Sequence, residues 1–377
     1  MTLLLVTDAW HPQVNGVVRA LDLTMTHLHA KGMDVELIAP DQYRTIPCPT
    51  YPEIRLAMVR YRTIAKRIDA LRDRLTHVHI ATEGPLGQKV RKYCRRHGLA
   101  FTTSFHTRFP DYLALRSWIH ADWIWPMMAR FHNGGACTMV ATERLGNELS
   151  GRGFAKTHRW PLGVDTALFT HYGPSHPAFE GMARPIRLYV GRVAIEKNLE
   201  ALLELPQKGI TVIVGGGPDF ELLSKRYPNA VFLGPKHGEE LASLYRGADF
   251  FVFPSRSETF GLVMIEALAC GTPVAAFPVQ GPIDIIGPQD KGIHRGRRPI
   301  GALDEHLGAA IHKALRVDAA DCVAEASHYA WDACTDRFVA GLVTLDGETP
   351  ALAASPSSER AQRLAPRPRN RPSPIAA

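Results

Sequence analysis

Leu3-Leu4-Leu5-Val6-Thr7-Asp8-Ala9-Trp10-His11-Pro12-Gln13-Val14-Asn15-Gly16-Val17 is the stretch that decides the fold. Its first four residues form a short apolar run, read as a strand. Pro12, Asn15 and Gly16 then supply turn chemistry over Asp8 to Gly16. Val17, Leu21 and Leu28 recur at helical spacing up to Ala30, Gly32 ends the helix, and Val35–Ala39 is a second strand. A strand, a loop, a helix and a strand in that order open a doubly wound α/β sheet.

The alternation continues outward from there. His77–Ile80, Phe101–Phe105 and Thr138–Ala141 read as strands, with helices over Gly87–His97 and from Glu143. Between Gly163 and Pro185 lie Gly173, Pro174, Pro177 and Gly181, the composition of an interdomain linker. A second set follows, with strands Ile186–Val190, Thr211–Val214, Ala230–Leu233, Phe250–Phe253 and Val274–Phe277. Helices Asn198–Leu205, Glu239–Arg246 and Leu262–Ala269 separate them, and Asp304–Arg316, Ala319–Ala330 and Trp331–Leu345 read as closing helices. The expected organisation is a first Rossmann-like domain over 1–165, a linker over 166–185 and a second such domain over 186–330. A helix over 331–345 and a disordered Pro/Arg tail over 346–377 complete it. Residues 355–377 hold five Pro and five Arg against the single acid Glu359, too little apolar surface to fold.

The chain's 377 residues suit two cores better than one, and 45% hydrophobic with 21% charged residues is ordinary globular composition. No apolar run reaches the roughly 18 residues that a spanning helix needs. The N-terminus lacks a basic segment before an apolar one, so a cytoplasmic protein is expected. Six scattered cysteines without C-x-x-C spacing read as reduced thiols rather than a zinc site. The net charge of +7 is uneven: Arg55 to Arg108 holds 13 Lys/Arg against Asp69, Asp73 and Glu83. Such a face suits an anionic partner, a phosphorylated substrate or phospholipid headgroups. No nucleic-acid recognition module accompanies it, which argues against DNA or RNA. Trp118, Trp123, Trp125, Met127 and Met128 stand among Arg116 and Arg130, a pattern that fits a packed aromatic core and a membrane interface equally well. On the second reading the protein docks peripherally on the inner face of the membrane.

Ligands of open α/β sheets bind beyond the carboxyl ends of the strands, so the loops there carry the chemistry. Gly16 opens a helix whose amides and positive dipole end favour phosphate. Gly191-Arg192-Val193-Ala194-Ile195-Glu196-Lys197-Asn198 puts Arg192 at a strand end and Lys197 at a helix start. The helix dipole disfavours cations there, and that mismatch points to a diphosphate held by the guanidinium fork and the ammonium. Both would also neutralise charge as a sugar–phosphate bond breaks. In Ser257-Glu258-Thr259-Phe260-Gly261-Leu262-Val263-Met264-Ile265-Glu266, Glu258 falls in the loop and Glu266 inside the apolar helix. A carboxylate accepts two O–H donors, which suits a vicinal diol. Gly215-Gly216-Gly217-Pro218 is not G-x-G-x-x-G, and no such fingerprint follows the first strand, which excludes the dehydrogenase reading.

These residues resemble the family-4 retaining glycosyltransferases of the GT-B fold, two Rossmann-like domains facing across a cleft. The E-x7-E motif is matched by Glu258 and Glu266, and the Gly-x5-Lys loop by Gly191, Arg192 and Lys197. Gly16 matches the N-terminal glycine loop and His106 the histidine after a first-domain strand. Residues 7–17 and Ser104–Pro110 are similar to the subgroup of α-mannosyltransferases and sulfoquinovosyl- and glucosyl-diacylglycerol synthases. The resemblance implies that Arg192 and Lys197 hold the donor diphosphate and Glu266 the ribose hydroxyls. Glu258 with the amides of Thr259, Phe260, Gly261 and Leu262 would hold the sugar, and His106 would lie beside it near the acceptor. It implies that Gly215–Gly217 sits near the base or phosphate. It also implies a nucleotide-diphosphate sugar donor, GDP-mannose first and a UDP-hexose second, and a lipid or glycan acceptor. No Asp-x-Asp occurs, so no metal and no other cofactor is expected. Where the family often carries Gly-Gly, this chain has Val279-Gln280-Gly281-Pro282-Ile283-Asp284. Polysaccharide or diacylglycerol acceptors, an epimerase or phosphorylase of the same fold, and a non-catalytic nucleotide-sugar binder are the rival readings.

Overall fold

A computed structural model describes residues 1–13, 16–48, 51–116, 120–206, 208–256, 260–293 and 298–348. The strands of the first half are β1 Thr2–Val6, β2 Asp34–Ile38, β3 Thr45–Cys48, β4 Tyr51–Ala57, β5 His77–Ile80, β6 Thr102–Phe105, β7 Thr138–Val140 and β8 Thr157–Arg159. Those of the second are β9 Ile186–Val190, β10 Ile210–Val214, β11 Val231–Gly234, β12 Phe250–Phe253, β13 Val274–Ala276 and β14 Gly301–Leu303. They form two six-stranded sheets, β2-β1-β5-β6-β7-β8 and β11-β10-β9-β12-β13-β14, with β3 and β4 as a separate antiparallel pair. All pairings inside the two large sheets are parallel.

Parallel sheets are covered on both faces, and the apolar runs show why. In β1, Leu4 and Val6 join one core with Ile64, Ile68 and Val90, while Leu3 and Leu5 join another with Leu21, Leu28 and Phe338. In β9, Leu188 and Val190 pack with Met264 and Ile265, and Tyr189 faces Leu202 and Leu203 on the other side. Phe169 and Phe179, within the segment read as the interdomain linker, are buried in the second domain's core. Helix Trp331–Gly341 returns to the first domain, where Asp336 meets Lys31 at 2.7 Å and the Phe338 ring packs tilted against Trp160. Beyond it Leu345 hydrogen-bonds Thr76 and Ala100.

Several boundaries differ from those read in the sequence. The helix expected over 198–205 is a 3-10 turn, Ile195–Lys197, followed by the short helix Glu200–Leu203. Asn198 between them is left-handed (φ 55°), which breaks the helical path. The helix expected from Asp304 starts at Leu307, because β14 runs up to Leu303 and the Asp304 carboxylate accepts from the His306 amide. The β3–β4 pair, helix Tyr61–Leu71 and helix Gln280–Ile286 were not read from the sequence. Trp118 and nearly all of the proline-rich tail lie outside the described residues.

Candidate active site

Each sheet reverses its strand order at one point, between β1 and β5 in the first and between β9 and β12 in the second. Crevices form where the loops diverge at such reversals, and ligands bind there. Gly16 falls at the first of these places and Gly191, Arg192, Lys197, Gly261, Leu262 and Glu266 at the second, while His106 lies at the end of β6, the neighbour of β5. The β1 end leads to Gly16, first residue of helix Gly16–Ala30. A Cβ added at Gly16 would meet nothing within 4 Å among the described residues, so no packing contact there calls for glycine. The β9 end carries Gly191 and Arg192, and the β12 end leads to helix Leu262–Ala269 with Glu266.

The Arg192 loop is built by close backbone approaches. The buried Tyr189 hydroxyl donates to the Arg192 carbonyl at 2.8 Å, and a Cβ on Gly191 would lie 2.7 Å from that hydroxyl. Backbone bonds join Gly191 to Val214, Val193 to Gly216 and Asp219 to Val193. A Cβ on Gly215 would collide with the Gly191 carbonyl oxygen, and one on Gly217 with that of Val193. These glycines therefore let two strand-end loops lie against each other, a packing reason for the glycine run that needs no phosphate. The Asn198 side chain donates to the Pro254 carbonyl at 3.0 Å and so ties the Arg192–Lys197 loop to the one after β12. The Arg192 side chain is about half exposed and stands 4.0 Å from Glu196.

Glu258 and Thr259 lie outside the described residues. Gly261 caps its helix in the left-handed region at φ 89°, which favours glycine. The Phe260 side chain is core, buried against Tyr329, so only its backbone is available to a ligand. Leu262 is half-buried at the helix start. Glu266 is 2% exposed. The Tyr245 hydroxyl donates to its Oε2 at 3.1 Å, and Arg19 of the first domain meets its Oε1 at 2.6 Å. Burial raises the Glu266 carboxyl, opposed by Arg19 and Tyr245.

His106 follows β6 and hydrogen-bonds the Ser104 hydroxyl at 2.8 Å, with Trp160 edge-on at 5.5 Å. Burial pulls it down to about 4, against the pull of Glu83, so it is neutral at neutral pH. Ser104 also bonds His79, whose other nitrogen bonds Thr102. Asp8, at the β1 end, accepts the amides of Leu86 and Gly87 and the Thr82 hydroxyl. It thereby caps helix Pro85–His97 from another strand. Burial pushes its carboxyl up to about 6, these bonds opposing.

The segment 279–284, placed by resemblance near the donor, meets the first domain. Gln280 bonds Arg108, which also pairs with Glu148 and Asp111. Asp284 is buried and accepts from the Thr142 hydroxyl at 2.6 Å and Arg144 at 3.2 Å. Arg19, Tyr245, Asp8 and Asp284 went unread in the sequence because each acts on a residue far away in the chain. The one available signal was Arg19, a single turn beyond Gly16 on a helix aimed at the cleft.

Two open parallel sheets, joined through Arg19–Glu266, Thr142–Asp284 and Arg108–Gln280, make the class a two-domain α/β protein whose strand-order reversals carry charged residues. Comparison with known proteins narrows it. The model described as Glycosyltransferase Family 4 matches residues 14–168, and that described as Glycosyl transferases group 1 matches 178–321. A GDP-mannose-dependent alpha-mannosyltransferase of Mycolicibacterium smegmatis is 30% identical, covering 78% of this chain and 84% of its own. Alpha-monoglucosyldiacylglycerol synthase of Streptococcus pneumoniae is 25% identical over 72% of this chain and 70% of its own. The sucrose-phosphate synthase structure from Thermosynechococcus elongatus has the same fold, with a TM-score of 0.66 at 22% identity over 89% of this chain and 97% of that one. The chain belongs to the family-4 glycosyltransferases and is a GT-B hexosyltransferase.

Proposed function

We propose that the protein transfers a mannosyl group from GDP-mannose, with retained anomeric configuration, to a hydroxyl of a lipid or glycolipid acceptor. A relative of each kind supports the reading: one is named for GDP-mannose, the other for a diacylglycerol product. The observation that carries it is the placement of the Arg192–Lys197 loop and the Glu266 helix after β9 and β12, the two strands at which the second sheet reverses its order, opposite helix Gly16–Ala30. A donor bound between them has its ribose at Glu266, its diphosphate at Arg192 and Lys197, and its sugar at Glu258 and the amides of Thr259–Leu262.

The chemistry is leaving-group stabilisation. Positive charge aimed at the departing diphosphate acts most strongly in a site that excludes water. The two cations take the place of a metal ion. His106, held neutral, offers a hydrogen bond to the sugar and no charge. Arg192→Ala and Lys197→Ala each lower turnover by orders of magnitude with the melting curve unchanged. Transfer continues in excess chelator, and a thermal-shift panel of GDP-, UDP- and ADP-sugars ranks GDP-mannose first. Near-wild-type turnover in either variant overturns the site, and a larger shift with a UDP-sugar overturns the donor.

The acceptor side points to an anionic membrane surface. On helix Ala121–His132, Trp125 and Met128 are buried while Trp123 and Met127 are 67% and 71% exposed. The aromatic stretch is thus half core and half surface, since residues four apart share a helix face. Arg91, Arg95, Arg130 and Arg152 line an adjacent hollow. Among the described residues no helix is long and apolar enough to cross a membrane, so docking is peripheral. The protein then works at the cytoplasmic face, and it floats with anionic vesicles.

A further inference from the structure

Glu266 sits in the second domain, yet its charged partner comes from the first. Arg19 Nη1 lies 2.6 Å from Oε1, and the Tyr245 hydroxyl takes Oε2. The Glu266 side chain is 3% exposed, whereas that of Arg19 is 43% exposed. The guanidinium rests over the Phe169 ring, 5.6 Å from its centroid, a contact it can leave without exposing a buried charge of its own. Glu266, by contrast, is a buried carboxylate that needs a donor on each oxygen at all times.

A ribose offers two vicinal hydroxyl donors to a carboxylate. With Arg19 on Oε1, Tyr245 on Oε2 and almost no exposed surface left, that pair of hydroxyls has nowhere to bind. We propose that Arg19 is a cross-cleft latch on the donor site. It holds Glu266 when nucleotide is absent, draws the two domains together, and is exchanged for the ribose hydroxyls, so that Oε1 passes from one donor to the other. The inference rests on the reading that Glu266 holds the ribose hydroxyls. It goes beyond that reading in giving the donor site a first-domain residue that competes with the donor.

A latched fraction reduces apparent donor affinity in proportion to its population, because only the unlatched form is competent. Removing the latch therefore tightens nucleotide binding. Arg19→Gln keeps a polar side chain, shortens its reach and removes the charge. Calorimetric titration of the full chain with GDP, or with whichever nucleoside diphosphate the panel ranks first, should give a Kd about 3–30-fold lower in Arg19→Gln than in wild type. Small-angle scattering of the nucleotide-free protein should show a larger radius of gyration in the variant, with a cooperative melt confirming that it is folded. The same titration with the 2′,3′-dideoxy nucleotide separates the two claims. If the missing hydroxyls change affinity in neither protein, the assignment of Glu266 to ribose fails. If they matter but Arg19→Gln binds the full nucleotide no tighter than wild type, the latch fails alone. An unchanged radius of gyration likewise overturns the latch. Should Arg19→Gln not fold, Arg19→Lys, with a shorter reach and the charge kept, is read in the same assays and is expected to shift both values in the same direction.

Discussion

Replacing Asp8 by asparagine should change how the protein's stability depends on pH. Asp8 is 5% exposed, and burial pushes its carboxyl from 3.8 up to about 6. A group whose folded pKa is raised binds its proton more tightly in the native state. Its contribution is therefore most favourable below the unfolded pKa and is lost as pH rises through the folded one. The gap between 3.8 and about 6 corresponds to about 3 kcal/mol in all. About 2 kcal/mol of that falls between about pH 4.5 and 7.5, the span over which the native carboxyl ionises and the unfolded one is already charged. The amide of the variant cannot ionise, so the stability of Asp8→Asn relative to wild type should climb by about 2 kcal/mol across that span. Its intercept will differ too, since an amide cannot accept the Leu86 and Gly87 amides as a carboxylate does. The intercept does not enter the slope. Urea unfolding at half-unit pH intervals, fitted for both proteins with a common m-value, measures the difference. A difference that stays flat with pH, or slopes the other way, would refute the claim that burial outweighs three hydrogen bonds at this carboxylate.

Gly215→Ala should cost several kcal/mol of stability or abolish soluble expression, since the new Cβ meets the Gly191 carbonyl oxygen and the backbone sits at φ +134°. Gly16→Ala makes no such clash, so it should melt within about 1 kcal/mol of wild type and lose donor affinity. A variant that folds well and binds donor normally contradicts a ligand in that space. Asp284→Ala strands the Thr142 hydroxyl and frees Arg144, which should destabilise the protein by about 1–3 kcal/mol by chemical denaturation. Trp123→Ser with Met127→Ser should lower vesicle flotation severalfold and leave turnover on a water-soluble acceptor analogue unchanged; equal flotation removes the membrane face.

The two sheets were legible because their strands are buried on both faces. Strands such as Leu3–Val6 and Phe250–Phe253 must then be continuous apolar runs, and the loops after them must carry Gly, Asn or Pro. Arg192 and Lys197, in the loop after β9, and Gly16 and Glu266, on the helices that follow β1 and β12, could be placed for the same reason, since the end of a strand in the sequence is its end in space. The β3–β4 pair was not, because Thr45–Cys48 has no buried residue and so no apolar pattern to read. The run at 215–217 gave no fingerprint in the sequence, and its packing role was not legible, because a glycine demanded by a neighbouring carbonyl looks the same in sequence as one demanded by a phosphate.

Sequence alone thus determined that there are two doubly wound halves and which strand ends carry cations and carboxylates, for these follow from local periodicity and charge. Only the tertiary structure decided which side chains answer one another across the halves: Arg19 to Glu266, Thr142 to Asp284, Arg108 to Gln280. The physical reason is that a carboxylate's need for a donor has no sequence range. Burial creates the need, and whichever donor the fold brings within about 3 Å meets it.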